Sequence, residues 1–137
     1  MDSLVNDREL VFEAQRAMQM AYAPYSGFKV GAALLCSDGT IYTGCNIENA
    51  SYGLCNCAER TAIFKAVSEG RDDFVKIAIV GGQNGEILSE CPPCGACRQV
   101  MSEFCSGEFE IILWDGKSLG PIHIYTLEQL LPLSFGL

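Results

Sequence analysis

The sequence is poor in basic residues for its size. Lysine and arginine together number nine, against seventeen aspartates and glutamates, and the net charge is −8. Such a surface repels polyanions, so the composition argues against nucleic acid partners and against attraction to an anionic membrane. A small, neutral substrate suits this charge better.

Segments that direct a chain into a membrane are also missing. The longest apolar runs fall far short of the roughly 20 residues needed to span a bilayer. Residues 1–15 contain five charged side chains and lack the continuous apolar core of a signal peptide. We therefore expect a cytoplasmic protein whose eight cysteines are reduced thiols rather than disulfides.

The sequence contains no internal repeat, low-complexity tract or linker. Its 137 residues, of which 49% are hydrophobic and 19% charged, match one well-packed globular domain. We therefore predict a single domain over residues 1–137.

Hydrophobic periodicity and turn residues predict the elements of the fold. The predicted helices are Asp2–Tyr22, Cys57–Ser68, Gly95–Phe104 and Thr126–Leu131. The predicted strands are Lys29–Cys36, Ile41–Asn46, Val75–Val80, Glu110–Trp114 and Ile122–Tyr125. The first two strands flank an Asp-Gly turn, and the last two are separated by too few residues for a parallel crossover, so both pairs should be antiparallel. This order predicts an α/β fold, a three-layer α/β/α sandwich with one mixed sheet of about five strands.

Two short cysteine motifs, at residues 57–59 and 93–97, indicate a metal site. Cys94 and Cys97 form a Cys-x-x-Cys pair at a helix start, where both thiolates can reach one ion. Cys57 begins another predicted helix and can supply a third thiolate. Structural zinc sites usually close with four protein ligands, whereas catalytic sites leave one position for water. We therefore predict one Zn²⁺ per subunit, bound by these three cysteines.

Two charged residues follow the first cysteine of this set. Glu59 lies beside the predicted metal without being required as a ligand. A carboxylate there can take a proton from the attacking water and pass it to a ring nitrogen and then to departing ammonia. Three thiolates leave the centre negatively charged, and Arg60 and the two helix N-termini can offset that charge. A surface salt bridge is the alternative role for Arg60.

Over nearly its whole length the chain resembles the small, homotetrameric class of cytidine deaminases. Five blocks in the family's order carry the resemblance: YSGFKVGAA at 25–33, GCNIENASY at 44–52, CAERTA at 57–62, PCGACRQ at 93–99 and LLPLSF at 130–135. The resemblance implies zinc-dependent hydrolytic deamination of free cytidine and 2′-deoxycytidine to uridine and 2′-deoxyuridine, in pyrimidine salvage.

The resemblance also implies substrate contacts. Asn46 and Glu48 match residues that hydrogen-bond the ribose hydroxyl. Phe28 matches an aromatic side chain that packs against the pyrimidine, and the backbone of Ala58 matches a group that binds the edge of the base. The positions that match residues completing a neighbouring subunit's site are Ala50, Tyr52 and Phe135. A homotetramer with shared sites is therefore expected.

Other cysteines and the histidine need separate interpretations. Cys55 and Cys91 crowd the predicted ligands, but the spacing to Glu59 favours Cys57, and two prolines turn Cys91 away from its helix. A lone Cys-x-x-Cys also occurs in redox proteins, where it follows the first strand of a βαβ unit, which is not the order here. His123, the only histidine, lies in a predicted strand far from the motifs and is interpreted as structural or exposed.

Three other functions remain as alternatives. One is deamination of a related cytosine compound, such as a cytosine-bearing antibiotic, although the Asn46 and Glu48 pair favours an ordinary ribose. A catalytically silent zinc scaffold is the second, and the intact Glu59 opposes it. The third is a nucleic-acid editing subunit, which the net charge of −8 opposes.

Overall fold

The computed structural model describes residues 6–117 and 121–137. Its helices are α1 (Asp7–Met18), α2 (Ala58–Ser68), α3 (Gly95–Phe104) and α4 (Leu127–Leu130). Its strands are β1 (Phe28–Cys36), β2 (Ile41–Cys45), β3 (Phe74–Gln83), β4 (Glu110–Trp114) and β5 (Ile122–Thr126). One turn of 3-10 helix, Tyr52–Leu54, lies between β2 and α2. The order of elements is as predicted.

The five strands form one mixed sheet in the order β2-β1-β3-β4-β5. Only β3 and β4 are parallel, and α3 lies in the connection between them. The β1–β2 hairpin and the β4–β5 pair are antiparallel, as predicted. The hairpin turns through Gly39, whose φ of 93° is accessible to glycine at little cost. The prediction of one mixed sheet is confirmed.

Both faces of the sheet are buried, so its three central strands are almost continuously apolar. On one face, alternate residues of β1, β3 and β4 pack against Leu10, Ala14 and Met18 of α1. The remaining residues of these strands pack on the other face against α2, α3 and α4. Helices therefore cover the sheet on both sides, which confirms the predicted three-layer α/β/α architecture.

The first helix is shorter than predicted. It begins after Asn6, whose side chain accepts from the Glu9 amide in a capping box, and the predicted start at residues 2–5 lies outside the described residues. The helix ends at Met18, because Tyr22 pairs with the chain beyond β2: its amide donates to Asn46 and its carbonyl accepts from Glu48. Residues 19–27 thereby reach the end of the sheet where β1 begins.

The third strand is longer than predicted. It continues beyond Val80 to Gln83, because Gly81 and Gly82 pair with Val30 and Lys29 of β1. A Cβ atom on Gly82 would lie 1.8 Å from the carbonyl oxygen of Glu86. The glycine therefore lets the chain after β3 fold back closely over the strand.

Close packing of α2 on β2 brings the helix start to the polar end of that strand. A Cβ atom on Gly44 would lie 2.5 Å from both the Ala58 carbonyl oxygen and the Ala62 amide nitrogen. Glycine therefore permits this approach, which places the first turn of α2 near Asn46. None of the described helices is both long and apolar enough to cross a membrane.

Candidate metal centre and active site

Three cysteine side chains converge where the first turns of α2 and α3 meet. Cys57 is the N-cap of α2, Cys94 is the N-cap of α3, and Cys97 lies one turn into α3. The Cys57 and Cys94 sulfurs are 3.6 Å apart, the Cys94 and Cys97 sulfurs are 3.2 Å apart, and all three lie within 4.8 Å of one another. In the described part of the chain, no other group of three or more cysteine, histidine or acidic side chains meets in this way.

This spacing fits a tetrahedral ion with thiolate ligands. Zinc–sulfur bonds of about 2.3 Å separate two ligand sulfurs by about 3.8 Å, which requires only small shifts of the three side chains. Thiolates favour zinc, copper(I) and iron–sulfur centres over hard cations such as magnesium. The three cysteines therefore form a suitable donor set for zinc.

Nearby hydrogen bonds stabilise negative charge on the sulfurs. Hydrogen bonds from the Cys97 thiol and from Arg60 lower the pKa of Cys57 to about 5. Sharing a proton with Cys57, together with burial, raises the pKa of Cys97. The Cys97 backbone amide also donates to the Cys94 sulfur. One thiolate therefore forms readily, and further deprotonation requires a cation to balance the charge.

Arg60 is the positive charge closest to this cluster. Its Nη2 atom donates to the Cys57 sulfur over 3.2 Å, and the paired thiolate raises the pKa of the guanidinium. Its Nε atom is buried without a hydrogen-bond partner among the described residues. The contact to Cys57 places Arg60 at the cluster rather than in a surface salt bridge.

Glu59 extends from the first turn of α2 beside the sulfurs. Only 4% of the residue is exposed, and it is the one polar or charged residue in the buried core of the described chain. Burial raises the pKa of its carboxyl group to about 7. A carboxyl group with this pKa can both accept and donate a proton near neutral pH.

Asn46 and Glu48 occupy the chain just beyond β2. The Asn46 side chain accepts from the Val30 amide and donates to the Phe28 carbonyl, each over 2.8 Å. Glu48 accepts from the backbone amides of Tyr25 and Ser26 and from the Ser26 hydroxyl. These bonds fix both side chains and leave each with spare hydrogen-bonding capacity.

The charge of Glu48 is maintained by the same contacts. The hydrogen bond from the Ser26 hydroxyl, supported by the backbone amides of Ser26 and Tyr25, lowers the pKa of its carboxyl group. Glu48 is therefore an ionised acceptor with a fixed orientation, suited to binding a hydroxyl donor.

A cavity of about 410 Å³ is lined by two of the three cysteines, Cys57 and Cys94. Its walls include six of the other predicted site residues: Asn46, Glu48, Tyr52, Ala58, Glu59 and Arg60. Phe28, Ala50 and Phe135 are not among the residues that line it. Tyr52 thus borders the cavity of its own chain while remaining 74% exposed, and Phe135 is 70% exposed.

Sequence reasoning missed several residues of the cavity wall, including Val30, Asn56, Cys91 and Pro92. Each lies inside or next to a motif block, and that proximity was the only available signal. Cys91 packs against Gly81, where an added Cβ would lie 3.0 Å from its sulfur. Burial raises the pKa of Cys91 to about 12, and its sulfur is not part of the converging group of Cys57, Cys94 and Cys97.

Comparison with known proteins agrees with this geometry. A family model described as the cytidine and deoxycytidylate deaminase zinc-binding region matches residues 4–112, which contain all three cysteines. The chain belongs to this deaminase family. The metal of this deaminase is therefore zinc, with the Cys57, Cys94 and Cys97 cluster positioned to bind it.

Individual relatives of this deaminase are similar over almost their whole length. A cytidine deaminase from Halalkalibacterium halodurans is 54% identical over 130 residues, covering 94% of both chains. Another from Sporosarcina psychrophila is 51% identical over 93% of this chain and 89% of its own. The crystal structure of a cytidine deaminase from Burkholderia pseudomallei has 47% identity and a TM-score of 0.85, covering 95% of this chain and 99% of its own.

Proposed function

We propose that this chain catalyses the hydrolytic deamination of free cytidine and 2′-deoxycytidine to uridine and 2′-deoxyuridine, in pyrimidine salvage in the cytoplasm. The observation that carries the proposal is the position of the buried carboxyl group of Glu59 beside three converging thiols.

In this proposal Cys57, Cys94 and Cys97 are the protein ligands of zinc. When bound, zinc supplies the Lewis acidity that makes a water molecule nucleophilic near neutral pH. Arg60 offsets the negative charge of the ligands through its bond to the Cys57 sulfur. The N-termini of α2 and α3 contribute partial positive charge in the same place.

Glu59 moves the protons of the reaction. Its carboxylate takes a proton from the attacking water and delivers it to N3 of the cytosine ring as the C4–O bond forms. Glu59 then takes the proton of the new C4 hydroxyl group and passes it to the amino group, so that the C4–N bond breaks, the C4 carbonyl forms and ammonia leaves. Water and cytidine are thereby converted to uridine and ammonia. The pKa of about 7 for Glu59 suits a group that must both accept and donate a proton.

Asn46 and Glu48 hold the sugar. The ionised Glu48 accepts a hydrogen bond from a ribose hydroxyl, and the spare amide capacity of Asn46 serves the same group. A phosphate in that position would place negative charge beside Glu48, so free nucleosides are favoured over nucleotides. A substrate without the sugar hydroxyl would leave these polar groups unpaired, which supports discrimination against free cytosine.

The remaining site residues serve substrate contacts within and between subunits. The backbone of Ala58 binds the base edge, and Phe28 packs against the pyrimidine. Ala50, Tyr52 and Phe135 complete the site of a neighbouring subunit in a homotetramer. Exposure of the large apolar side chains Tyr52, Leu54 and Phe135 supports burial between subunits.

Release of ammonia from a panel of compounds, combined with metal analysis, tests the proposed activity. Cytidine and deoxycytidine should be deaminated, whereas cytosine, CMP and adenosine should react far more slowly. Activity with CMP equal to that with cytidine would contradict the role of Glu48.

Dilution tests the shared sites separately. Activity per chain should fall when the protein is diluted until light scattering shows monomers, because each site then lacks residues from its neighbours. A monomer with full activity would remove Tyr52 and Phe135 from the proposed site of the neighbouring subunit.

A further inference from the structure

The segment that leads to the Cys94 turn has little backbone support. Gly85 and Glu86 donate backbone hydrogen bonds to Gly82 and Gln83 at the end of β3. Beyond them, the described part of the chain gives residues 87–93 no hydrogen bond between two backbone groups. Pro92 and Pro93 have no amide hydrogen to donate. Side chains must therefore fix the position of this segment.

Glu90 attaches this segment to β5. One carboxylate oxygen accepts a hydrogen bond from the Tyr125 hydroxyl over 3.3 Å. The other pairs with Nδ1 of His123. His123 and Tyr125 are two apart on β5, so they project from the same face of the strand. We call Glu90, His123 and Tyr125 the Glu90 cluster.

The Glu90 cluster lies on the same face of the sheet as the metal cysteines. Tyr125 packs against the hydrophobic cluster that contains Cys97 and the buried face of α2. The Glu90 side chain is only 23% exposed, and its negative charge is the main cause of the raised pKa of Tyr125. The contact therefore joins a largely buried carboxylate of the loop to the packed Tyr125 side chain and to a His123 side chain that is 51% exposed.

A second side chain holds the same turn from the helix side. Arg98 donates from Nε to the Pro93 carbonyl over 2.8 Å and from Nη1 to the Leu130 carbonyl over 2.7 Å. Glu90 thus attaches the chain four residues before Cys94, and Arg98 attaches it directly before Cys94. The two intervening prolines restrict the backbone between these two contacts, so the position of Glu90 limits where the Cys94 turn can lie.

We propose that the Glu90 cluster positions the Cys94 turn for metal binding, and that His123 and Tyr125 are positioning residues of the zinc centre. The inference rests on the proposed role of Cys57, Cys94 and Cys97 as ligands. Residues that orient metal ligands commonly change metal affinity by about 10- to 100-fold when they are removed. The edge strand β5 thereby contributes to a site that none of its residues touches.

Zinc release to a chromogenic chelator tests the proposal on the zinc-loaded protein. Glu90→Ala should release zinc about 10-fold faster than the wild type or more, because the turn is freed from β5. Glu90→Gln should keep a release rate close to that of the wild type, since the glutamine amide can still form hydrogen bonds with both His123 and Tyr125. Tyr125→Phe should have a smaller effect in the same direction.

Asp7→Asn is the matched control. Asp7 forms a half-buried pair with Lys76 over 2.8 Å, between α1 and the opposite end of β3. Its loss should lower thermal stability without changing the rate of zinc release. This control separates a general loss of stability from a specific effect on the metal turn.

The absorption of the cobalt(II)-substituted protein gives a second readout. Cobalt–thiolate bands in the wild type support the ligand set, and altered bands in Glu90→Ala support the positioning role. Unchanged zinc release and unchanged bands in Glu90→Ala would overturn the inference while leaving the ligand set intact. A wild type without cobalt–thiolate bands would overturn the ligand set, and with it this inference. If Glu90→Ala does not fold, zinc release is measured on Tyr125→Phe instead. A release rate equal to that of the wild type in Tyr125→Phe would overturn the proposal.

Discussion

At the end of the sheet where β1 finishes and β3 begins, the charged groups bond to one another. Arg71 donates to Asp38 and to both carboxylate oxygens of Asp73, and Ser37 also binds Asp73. The guanidinium lowers the pKa of Asp73 and that of Asp38, the latter to about 2. These groups form a closed network whose partners all belong to the chain.

At the other end of the sheet, the polar groups are held in place, but part of their hydrogen-bonding capacity has no partner within the described chain. Glu59 is buried with a pKa raised to about 7, Arg60 has a buried nitrogen without a partner, and Glu48 has spare capacity on an ionised carboxylate. Three cysteine sulfurs in mutual contact lie beside them. The buried Glu59 carboxylate and the unpartnered Arg60 nitrogen are unfavourable in isolation, and a bound metal or substrate can supply the missing interactions.

Contacts that stabilise the fold and groups that serve the site therefore lie at opposite ends of one sheet. The closed network contributes to folding without any ligand, whereas the site end keeps perturbed groups in place through bonds to neighbouring backbone, as Asn46 and Glu48 do. A shifted pKa marks a functional group only together with its position, and the pKa of Glu59 is raised by burial in the cavity wall beside the thiols. The strongly shifted pKa of Asp73 comes from a satisfied ion pair and marks a structural contact.

Among substitutions at either end of the sheet, loss of a metal ligand is expected to have the largest effect on activity and stability. Cys97→Ala should abolish zinc binding and deamination and lower the free energy of unfolding by on the order of 3 kcal/mol or more, because metal binding contributes to folding. Metal analysis and chemical denaturation measure these effects. Cys105→Ala, which removes a half-buried thiol at the end of the same helix, should keep zinc and activity.

Glu59→Gln should separate catalysis from metal binding. The variant should keep its zinc and lower kcat by about 10²- to 10⁴-fold, because it removes only the proton-transfer group. Ammonia release and metal content are measured on the same sample. Asp73→Asn provides the control at the opposite end of the sheet and should keep wild-type kcat. Retained turnover in Glu59→Gln would remove this residue from the mechanism.

Arg71→Met should lower stability without affecting catalysis. The change leaves Asp38 and Asp73 without their cation, so the melting temperature should fall. The values of kcat and KM should stay at those of the wild type, since the site lies at the other end of the strands. Thermal unfolding and steady-state kinetics on one preparation test this. A change in KM without a change in melting temperature would break the separation between the two ends.

Acidification should produce the smallest effect. The pKa values of Asp38 and Asp73 are lower in the folded chain than in the unfolded chain, so their contribution to stability is present above about pH 4 and is lost as the pH falls towards about 2. The difference in melting temperature between the wild type and Asp73→Asn should therefore shrink between about pH 6 and about pH 2.5. A constant difference over this range would show that the carboxylate charge of Asp73 contributes nothing.

Local sequence patterns predicted most of the fold. The helix Gly95–Phe104 and the strand Glu110–Trp114 agree with the structure, because apolar periodicity is encoded within a few residues. The end of α1 was wrong, because Ala21 and Tyr22 continue the helical pattern of apolar residues. Tyr22 instead pairs with residues near Ile47, a contact that no local pattern contains.

The metal cluster could be predicted because its spacing is local to two helix starts, and the family motifs located Glu59 and Arg60. The rest of the cavity wall could not be predicted, because Val30, Asn56 and Cys91 come together only through contacts between distant parts of the chain. The Glu90 and His123 contact joins residues 33 apart in the sequence. The sequence placed His123 far from the motifs, whereas the structure brings it to the segment that carries Cys94.

X-ray absorption at the zinc edge of the purified protein tests the ligand set and the free coordination position together. We expect three sulfur neighbours at about 2.3 Å and one lighter atom at about 2.0 Å. The lighter atom should be replaced when a substrate analogue binds. Four sulfur neighbours, with Cys55 or Cys91 as the fourth, would contradict the account, because a closed site leaves no position at which water can be activated.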